Sequence, residues 1–119
     1  MIKLQEIEFP SDCKVVNNDF YTYDPEKDFQ EGNSIKYLNE YLLQCTFPKA
    51  GMIIYLGWYG DVLSNKGEFR IYVIQNENWE IPFNVIHSKS VKEIKELLVK
   101  ILEYFSQAKP KIEPSSSAS

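Results

Sequence analysis

The side chains that most often do chemistry are few in this chain and far apart. There is one histidine, His87, and the two cysteines are Cys13 and Cys45. A cysteine nucleophile and its histidine base must lie within hydrogen-bond reach, and nothing in the spacing brings these residues together. A lone histidine just before a helix is more often structural than catalytic. We therefore expect no catalytic residues and no enzyme activity.

Motifs for metal ions and phosphates are also missing from the sequence. No Cys-x-x-Cys or His-Glu-x-x-His spacing occurs, which argues against a structural zinc site. Asp24, Glu26 and Asp28 alternate as calcium ligands do, but the Gly and the terminal Glu of an EF-hand loop do not follow. The run 57–60, Gly-Trp-Tyr-Gly, lacks the Lys-Ser/Thr ending of a phosphate-binding loop. We expect no metal ion and no cofactor.

Charge is the strongest remaining signal, and it is unevenly distributed. The chain has 17 acidic and 13 basic residues, for a net charge of −4, and Arg70 is its single arginine. Residues 5–31 hold eight carboxylates and two lysines, a balance of −6, whereas residues 87–111 hold six lysines and three glutamates, a balance of +3. Because affinity for phosphates depends largely on Lys and Arg, we expect no nucleic-acid partner.

The acidic stretch also carries Tyr and Phe, and this combination has two interpretations. Carboxylates between aromatic rings suit a basic protein surface, because the charges steer the encounter and the rings anchor the contact. The same rings would equally suit docking onto the domain's own core. The candidate partner-binding residues are Asp19, Tyr21, Tyr23, Asp24, Glu26, Asp28, Phe29, Glu31 and, after a later strand, Asp61.

One small domain must position these candidate residues. A chain of 119 residues suits a single domain, which we place at residues 1–108, followed by a flexible, serine-containing tail at 109–119. Residues 10–33 carry turn signals without a clear period, except that Val15 and Val16, or alternatively residues 20–23, suit a short strand.

Apolar patterns predict further strands over residues 2–9, 52–59, 68–75 and 79–86. Residues 52–59 show no alternation, which is typical of a strand buried on both faces, and Pro82 predicts that the strand over 79–86 lies at a sheet edge. In the strand over 68–75, one side carries Phe69, Ile71 and Val73 and the other carries Arg70, Tyr72 and Ile74.

Two helices are predicted as well. Ser34 is suited to cap a helix over residues 34–46, in which Ile35, Leu38, Leu42 and Cys45 share one face. A second helix over residues 90–107 begins with a Ser90–Glu93 capping box and continues as a wide apolar stripe. This order of elements predicts an α+β fold, a mostly antiparallel sheet with two helices packed on one face.

Targeting and membrane signals are not evident in the sequence. The first four residues lack the anatomy of a signal peptide, and the longest strongly apolar run, Met52–Leu56, is far shorter than the roughly 20 residues of a membrane helix. Two cysteines are too few for a disulfide framework, although a bond between them stays open. We expect a cytoplasmic protein without membrane contact, either a monomer or a weak homodimer.

Three stretches resemble the immunity proteins of bacterial polymorphic and contact-dependent growth inhibition toxin systems, which are small, acidic, aromatic-rich α+β proteins. They are the strand Met52–Trp58 with its continuation to Asp61, the strand Trp79–Val85, and the acidic aromatic segment Asp19–Glu31. The resemblance implies that the chain binds and neutralises a cognate toxin domain, often a basic nuclease. Replacing Asp24, Glu26 and Asp28 by lysine should then weaken binding by orders of magnitude. The main alternative is an adaptor or regulatory subunit of another complex; an enzyme that uses His87 or a carboxylate pair and a structural homo-oligomer built through the aromatic strands are further alternatives.

Overall fold

A five-stranded antiparallel sheet forms the centre of the computed structural model, which describes residues 2–29, 36–60 and 66–107. The strands are β1 (Lys14–Asn18), β2 (Leu43–Phe47), β3 (Met52–Gly60), β4 (Gly67–Gln75) and β5 (Asn84–Ser88), and they lie side by side in chain order. β3 and β4 are paired along their whole lengths, from Met52 opposite Gln75 to Gly60 opposite Gly67. These two strands therefore carry most of the sheet, as their apolar patterns predicted, and the strand expected at Val15 and Val16 is confirmed as part of β1.

One α-helix, α1 (Val91–Phe105), follows the sheet and confirms the second predicted helix. The Ser90 hydroxyl accepts a hydrogen bond from the Glu93 amide at 3.1 Å, as a capping box requires. The Glu93 carboxylate accepts from the Ser88 hydroxyl, and that hydroxyl accepts from the Ser90 amide at 3.0 Å. Ser88 thus connects the end of β5 to the first turn of the helix.

The core lies between α1 and one face of the sheet. Its position follows from period-two alternation in the strands and from the apolar stripe of the helix. Side chains that are almost fully buried there include Ile54, Leu56 and Trp58 of β3, Phe69, Ile71 and Val73 of β4, and Ile94, Leu98 and Leu102 of α1. Each large side chain of this kind stabilises the fold by roughly 1.5–3 kcal/mol.

The prediction of two helices on the sheet was wrong, because residues 36–42 are irregular apart from a single 3₁₀ residue and Leu43–Phe47 is strand β2. Leu43, Cys45 and Phe47 are buried and alternate with half-buried Gln44 and Thr46, which is the period of a strand. The apparent helical spacing arose because Leu38 and Leu42, in the irregular segment, are buried too. β2 pairs with β3 over five residues, and this pairing stabilises a strand where the spacing had indicated a helix. Residues 34 and 35 lie outside the described ranges.

Two other predicted strands were too long. Residues 2–9 contribute an isolated bridge between Leu4 and Tyr21, supported by a 2.8 Å backbone bond from the Gln5 amide to Phe20. The strand expected over 79–86 begins only at Asn84. Pro82, just before it, has no amide hydrogen to donate to a neighbouring strand. β5 is nevertheless an edge strand, as Pro82 predicted.

Candidate interaction surface

The sheet face opposite α1 carries a group of aromatic side chains. Tyr55 and Tyr59 of β3 and Tyr72 of β4 point to this face, because their strand neighbours point into the core. Tyr41, from the segment before β2, and Trp79, from the turn after β4, join them. We call these five residues the tyrosine face: Tyr41, Tyr55, Tyr59, Tyr72 and Trp79.

The rings of the tyrosine face pack against one another edge to face. The ring centroids of Tyr55 lie 6.0 Å from Tyr41 and 5.6 Å from Trp79, and those of Tyr59 and Tyr72 are 5.8 Å apart. Tyr55 and Tyr72 also stand directly opposite each other in the β3–β4 register. Tyr41 is 68% exposed and Trp79 is 48% exposed. The result is an aromatic surface whose inner rings are held by packing and whose outer rings remain accessible.

Gly57 allows the segment that carries Tyr41 to approach the sheet closely. A Cβ atom at this position would lie 2.9 Å from the carbonyl carbon of Glu40 and 3.0 Å from its Cα. Two backbone bonds hold the segment there, from the Trp58 amide to Asn39 at 2.8 Å and from the Leu42 amide to Leu56 at 3.1 Å. The absence of a side chain at Gly57 therefore positions Glu40 and Tyr41 beside the other tyrosines.

Two exposed carboxylates border the tyrosine face on this side. Glu40 precedes Tyr41, and its charge raises the pKa of both Tyr55 and Tyr59. Asp19 is held by a 2.6 Å bond from its amide to the Leu42 carbonyl. With Tyr41, Tyr55 and other residues it lines a shallow depression of about 300 Å³. We call Asp19 and Glu40 the acidic border.

The other side of the tyrosine face ends in a charged cluster. One oxygen of Glu68 accepts from Arg70 Nε at 2.9 Å and lies 2.7 Å from Nδ1 of His87. Arg70 also donates to the Tyr72 hydroxyl at 3.1 Å, and its guanidinium lies 4.9 Å from the centre of the Tyr59 ring. Arg70 stands opposite Gly57 in the register, so its direct cross-strand neighbour has no side chain. This single arginine is thus fixed by a carboxylate, a hydroxyl and a ring.

The protonation states of this surface follow from burial and from these contacts. Burial raises the pKa of the Tyr55 hydroxyl to about 12, and the neighbouring Tyr59, Tyr41 and Glu40 add to the shift. Burial also raises the pKa of Tyr59. The hydrogen bond with His87, and then the one from Arg70, lower the pKa of the Glu68 carboxyl. At neutral pH the hydroxyls of Tyr55 and Tyr59 are therefore uncharged and the Glu68 carboxyl is ionised.

The residues predicted as a binding site occupy different environments. Glu26 is exposed, Asp19 lies on the acidic border, and Tyr21 and Phe29 are half-buried. Tyr23 is only 3% exposed and stacks on Tyr37 at 4.9 Å, so its ring belongs to the core, as the second interpretation of these aromatics held.

Asp24 and Asp28, also predicted to bind a partner, hold a turn together. Asp24 Oδ1 accepts from the Glu26 amide and Asp28 Oδ2 accepts from the Asp24 amide, each at 2.9 Å. Glu31 and Asp61, the last two predicted residues, lie outside the described ranges.

The tyrosine face was missed because β3 was interpreted as a strand buried on both sides. A usable signal was present, since residues 52, 54, 56 and 58 are all large and apolar whereas Tyr55 and Tyr59 fall only at odd positions. Arg70 and Tyr72 were assigned to the side of their strand opposite Phe69, Ile71 and Val73, which the structure confirms. The contribution of Glu40 and Tyr41 was not foreseeable, because it depends on the non-helical course of their segment.

The remaining features to place are possible metal ligands, the two thiols and the apolar character of the helix. Within the three described ranges, no three His, Cys, Asp or Glu side chains come close enough together to hold a metal ion. Cys13 and Cys45 are free thiols in hydrogen-bond contact, and burial raises the pKa of both. None of the helical structure in the described part of the chain has the length and apolar character needed to cross a lipid bilayer.

Comparisons of the chain with protein-family models, with curated proteins and with solved structures gave no match. The functional conclusion therefore depends on the geometry and charge of the surfaces described above.

Proposed function

We propose that this protein is a cytoplasmic binding protein that neutralises a toxin domain by covering a basic surface on it, and that the tyrosine face with its acidic border makes the contact. The observation that carries this proposal is the packing of four tyrosines and a tryptophan on the sheet face opposite α1. Tyr and Trp are enriched in protein interfaces because they offer a large contact area with few rotatable bonds. Rings that are already packed lose little further entropy on binding.

The charge of the region supports a basic partner. Asp19 and Glu40 are both exposed, and the chain as a whole carries −4. Acidic groups at the rim of an interface accelerate association with a basic surface and disfavour acidic competitors. A nuclease toxin has such a surface, because its active site must hold phosphates. Of the acidic aromatic segment on which the resemblance to immunity proteins rests, Asp19 borders this surface.

The test is co-purification from the native host, with the tagged chain as bait at moderate salt. The parent is compared with Tyr41→Ser and with the double variant Asp19→Lys, Glu40→Lys. Glu103→Lys is the matched charge control, since Glu103 is an exposed residue of α1. Asp24 and Asp28 are poor choices for charge reversal, because both hold the turn and their loss would disturb the fold locally.

We expect a basic toxin domain as the stoichiometric partner. Tyr41→Ser should weaken its binding by more than about 1 kcal/mol if this ring is an anchor. The double charge reversal should slow association and reduce its dependence on salt. An acidic partner, or equal binding by the two surface variants and Glu103→Lys, would contradict the proposal. A housekeeping complex as the partner would instead favour an adaptor.

A further inference from the structure

β5 is a strand with one free edge. It pairs with β4 from Phe69 opposite Ser88 to Val73 opposite Asn84, and no other strand in the described residues pairs with it. The Val85 amide has a side-chain acceptor, since it donates to the Oδ1 atom of its neighbour Asn84 at 2.9 Å. An incoming strand at the free edge would compete with this acceptor for the amide.

An apolar groove runs beside this edge, between the start of β5 and the second half of α1. Its volume is about 330 Å³, and its lining includes Phe83, Leu97, Ile101 and Tyr104. Phe83 is 56% exposed and Tyr104 is 79% exposed, so large rings stand open to solvent on both sides. Asn84 belongs both to the groove and to the free edge. A strand added to β5 would therefore direct alternate side chains into the groove.

Lysines lie at the groove and beside the edge. Lys100 lines the groove, whose described lining residues include no carboxylate, and Lys89 follows β5 directly. The acidic border lies on a different surface, beside the tyrosine face. An occupant with carboxylates between its apolar side chains would match this arrangement, whereas a basic one would be repelled.

We propose that the free edge of β5 binds an extended, acidic segment of a partner protein as a sixth strand, with every second side chain apolar and seated in the groove between β5 and α1. Main-chain hydrogen bonds provide affinity in this mode and the groove provides selectivity. The surface is distinct from the tyrosine face, so this proposal does not depend on the toxin-binding function.

The test uses two displayed libraries of short peptides with apolar residues at alternate positions. One library has Glu or Asp between them and the other has Lys or Arg. Recovered peptides are labelled and titrated with the parent and three variants, and binding is followed by fluorescence anisotropy. Val85→Pro removes the amide that is proposed to bind the incoming strand, and Tyr104→Ser removes a groove ring. Tyr41→Ser is the matched control, the same substitution at an exposed tyrosine of the other surface.

We expect recovery from the acidic library and a loss of affinity of about 30-fold or more for Val85→Pro and Tyr104→Ser, as for a buried anchor. Tyr41→Ser should bind as the parent does. Recovery from neither library, a preference for the basic library, or equal affinity of Tyr104→Ser and Tyr41→Ser would overturn the proposal. If circular dichroism shows that Val85→Pro does not fold, the affinity of Tyr104→Ser tests the proposal on its own. Light scattering gives a further check. If the parent is a dimer and Val85→Pro is a monomer, the edge of β5 binds a second copy of this chain, and the proposal of a peptide partner is refuted.

Discussion

Substituting Gly57 by alanine tests how the segment before β2 is held on the sheet. The new Cβ would lie 2.9 and 3.0 Å from two backbone carbons of Glu40, whereas carbon atoms normally approach to about 3.5–4.0 Å. The segment must therefore move by roughly 0.5–1 Å, because backbone atoms cannot rotate away as the end of a side chain does. That movement stretches the backbone bonds from Trp58 to Asn39 and from Leu42 to Leu56.

The magnitude follows from three terms. Overpacking in a closely packed site costs about 1–3 kcal/mol, and weakening one backbone bond costs about 0.5–1.5 kcal/mol. Replacing glycine by alanine also stabilises the fold by about 0.4–1 kcal/mol, because it lowers the conformational entropy of the unfolded chain. Gly57→Ala should thus lower the free energy of unfolding by roughly 0.5–4 kcal/mol.

Urea unfolding followed by circular dichroism measures this change. Val16→Ala, at a position that is 57% exposed on β1, is the control and should stay within about 0.5 kcal/mol of the parent. Because the collision is with the backbone of Glu40, adding Glu40→Ala should not restore stability. A Gly57→Ala chain as stable as the parent, or a full rescue by Glu40→Ala, would refute this account of how the acidic border is placed.

Three further predictions concern titration and capping. The lowered pKa of Glu68 contributes stability that is present above about pH 4.5 and is lost as pH falls through its lower folded-state pKa. Glu68→Gln should therefore cost about 0.2–1 kcal/mol at pH 7 and nothing in strong acid, measured by urea unfolding at both pH values; an unchanged cost in acid would contradict this. The raised pKa of Tyr55, about 12, contributes stability below pH 10 that is lost as pH rises toward 12. When tyrosine ionisation is followed by ultraviolet absorbance as pH rises, Tyr55→Phe should lack the tyrosine that ionises at the highest pH. If that last ionisation is unchanged in the variant, it belongs to another tyrosine. Ser90→Ala removes the cap of α1 and should cost about 1 kcal/mol in thermal unfolding, whereas Ser90→Asp, which still accepts from the Glu93 amide, should retain most of the stability.

The sequence was most informative where several local signals agreed. The capping box, the apolar stripe and the length of α1 all indicate a helix, and the helix is present. β3 and β4 were recognisable because their apolar and β-branched residues have no competing helical pattern. Residues 34–46 were misinterpreted because an irregular segment and a short strand together reproduced helical spacing. Only pairing with β3 distinguishes the two, and that pairing is not visible locally.

The surface was harder to predict than the fold. Charge density favoured residues 19–31 as the binding surface, but Asp24 and Asp28 hold a local turn and Tyr23 lies in the core. The tyrosine face draws on residues between Tyr41 and Trp79 that are adjacent only once β3 and β4 are paired. Asp19 is the residue at which the predicted site and the observed surface meet.

The alternation in β3 also affects how this protein is able to diverge. Its even positions hold the core, whereas Tyr55 and Tyr59 at odd positions contribute little to the packing against α1. Substitutions on the two sides of one strand should therefore have separable effects, because side chains on opposite faces of a sheet share few neighbours. A lineage under pressure to recognise a changing partner would be free to vary the odd positions while the even ones preserve the fold. Among diverged copies of this protein, variation confined to the odd positions of β3 would indicate selection for recognition of a changing partner.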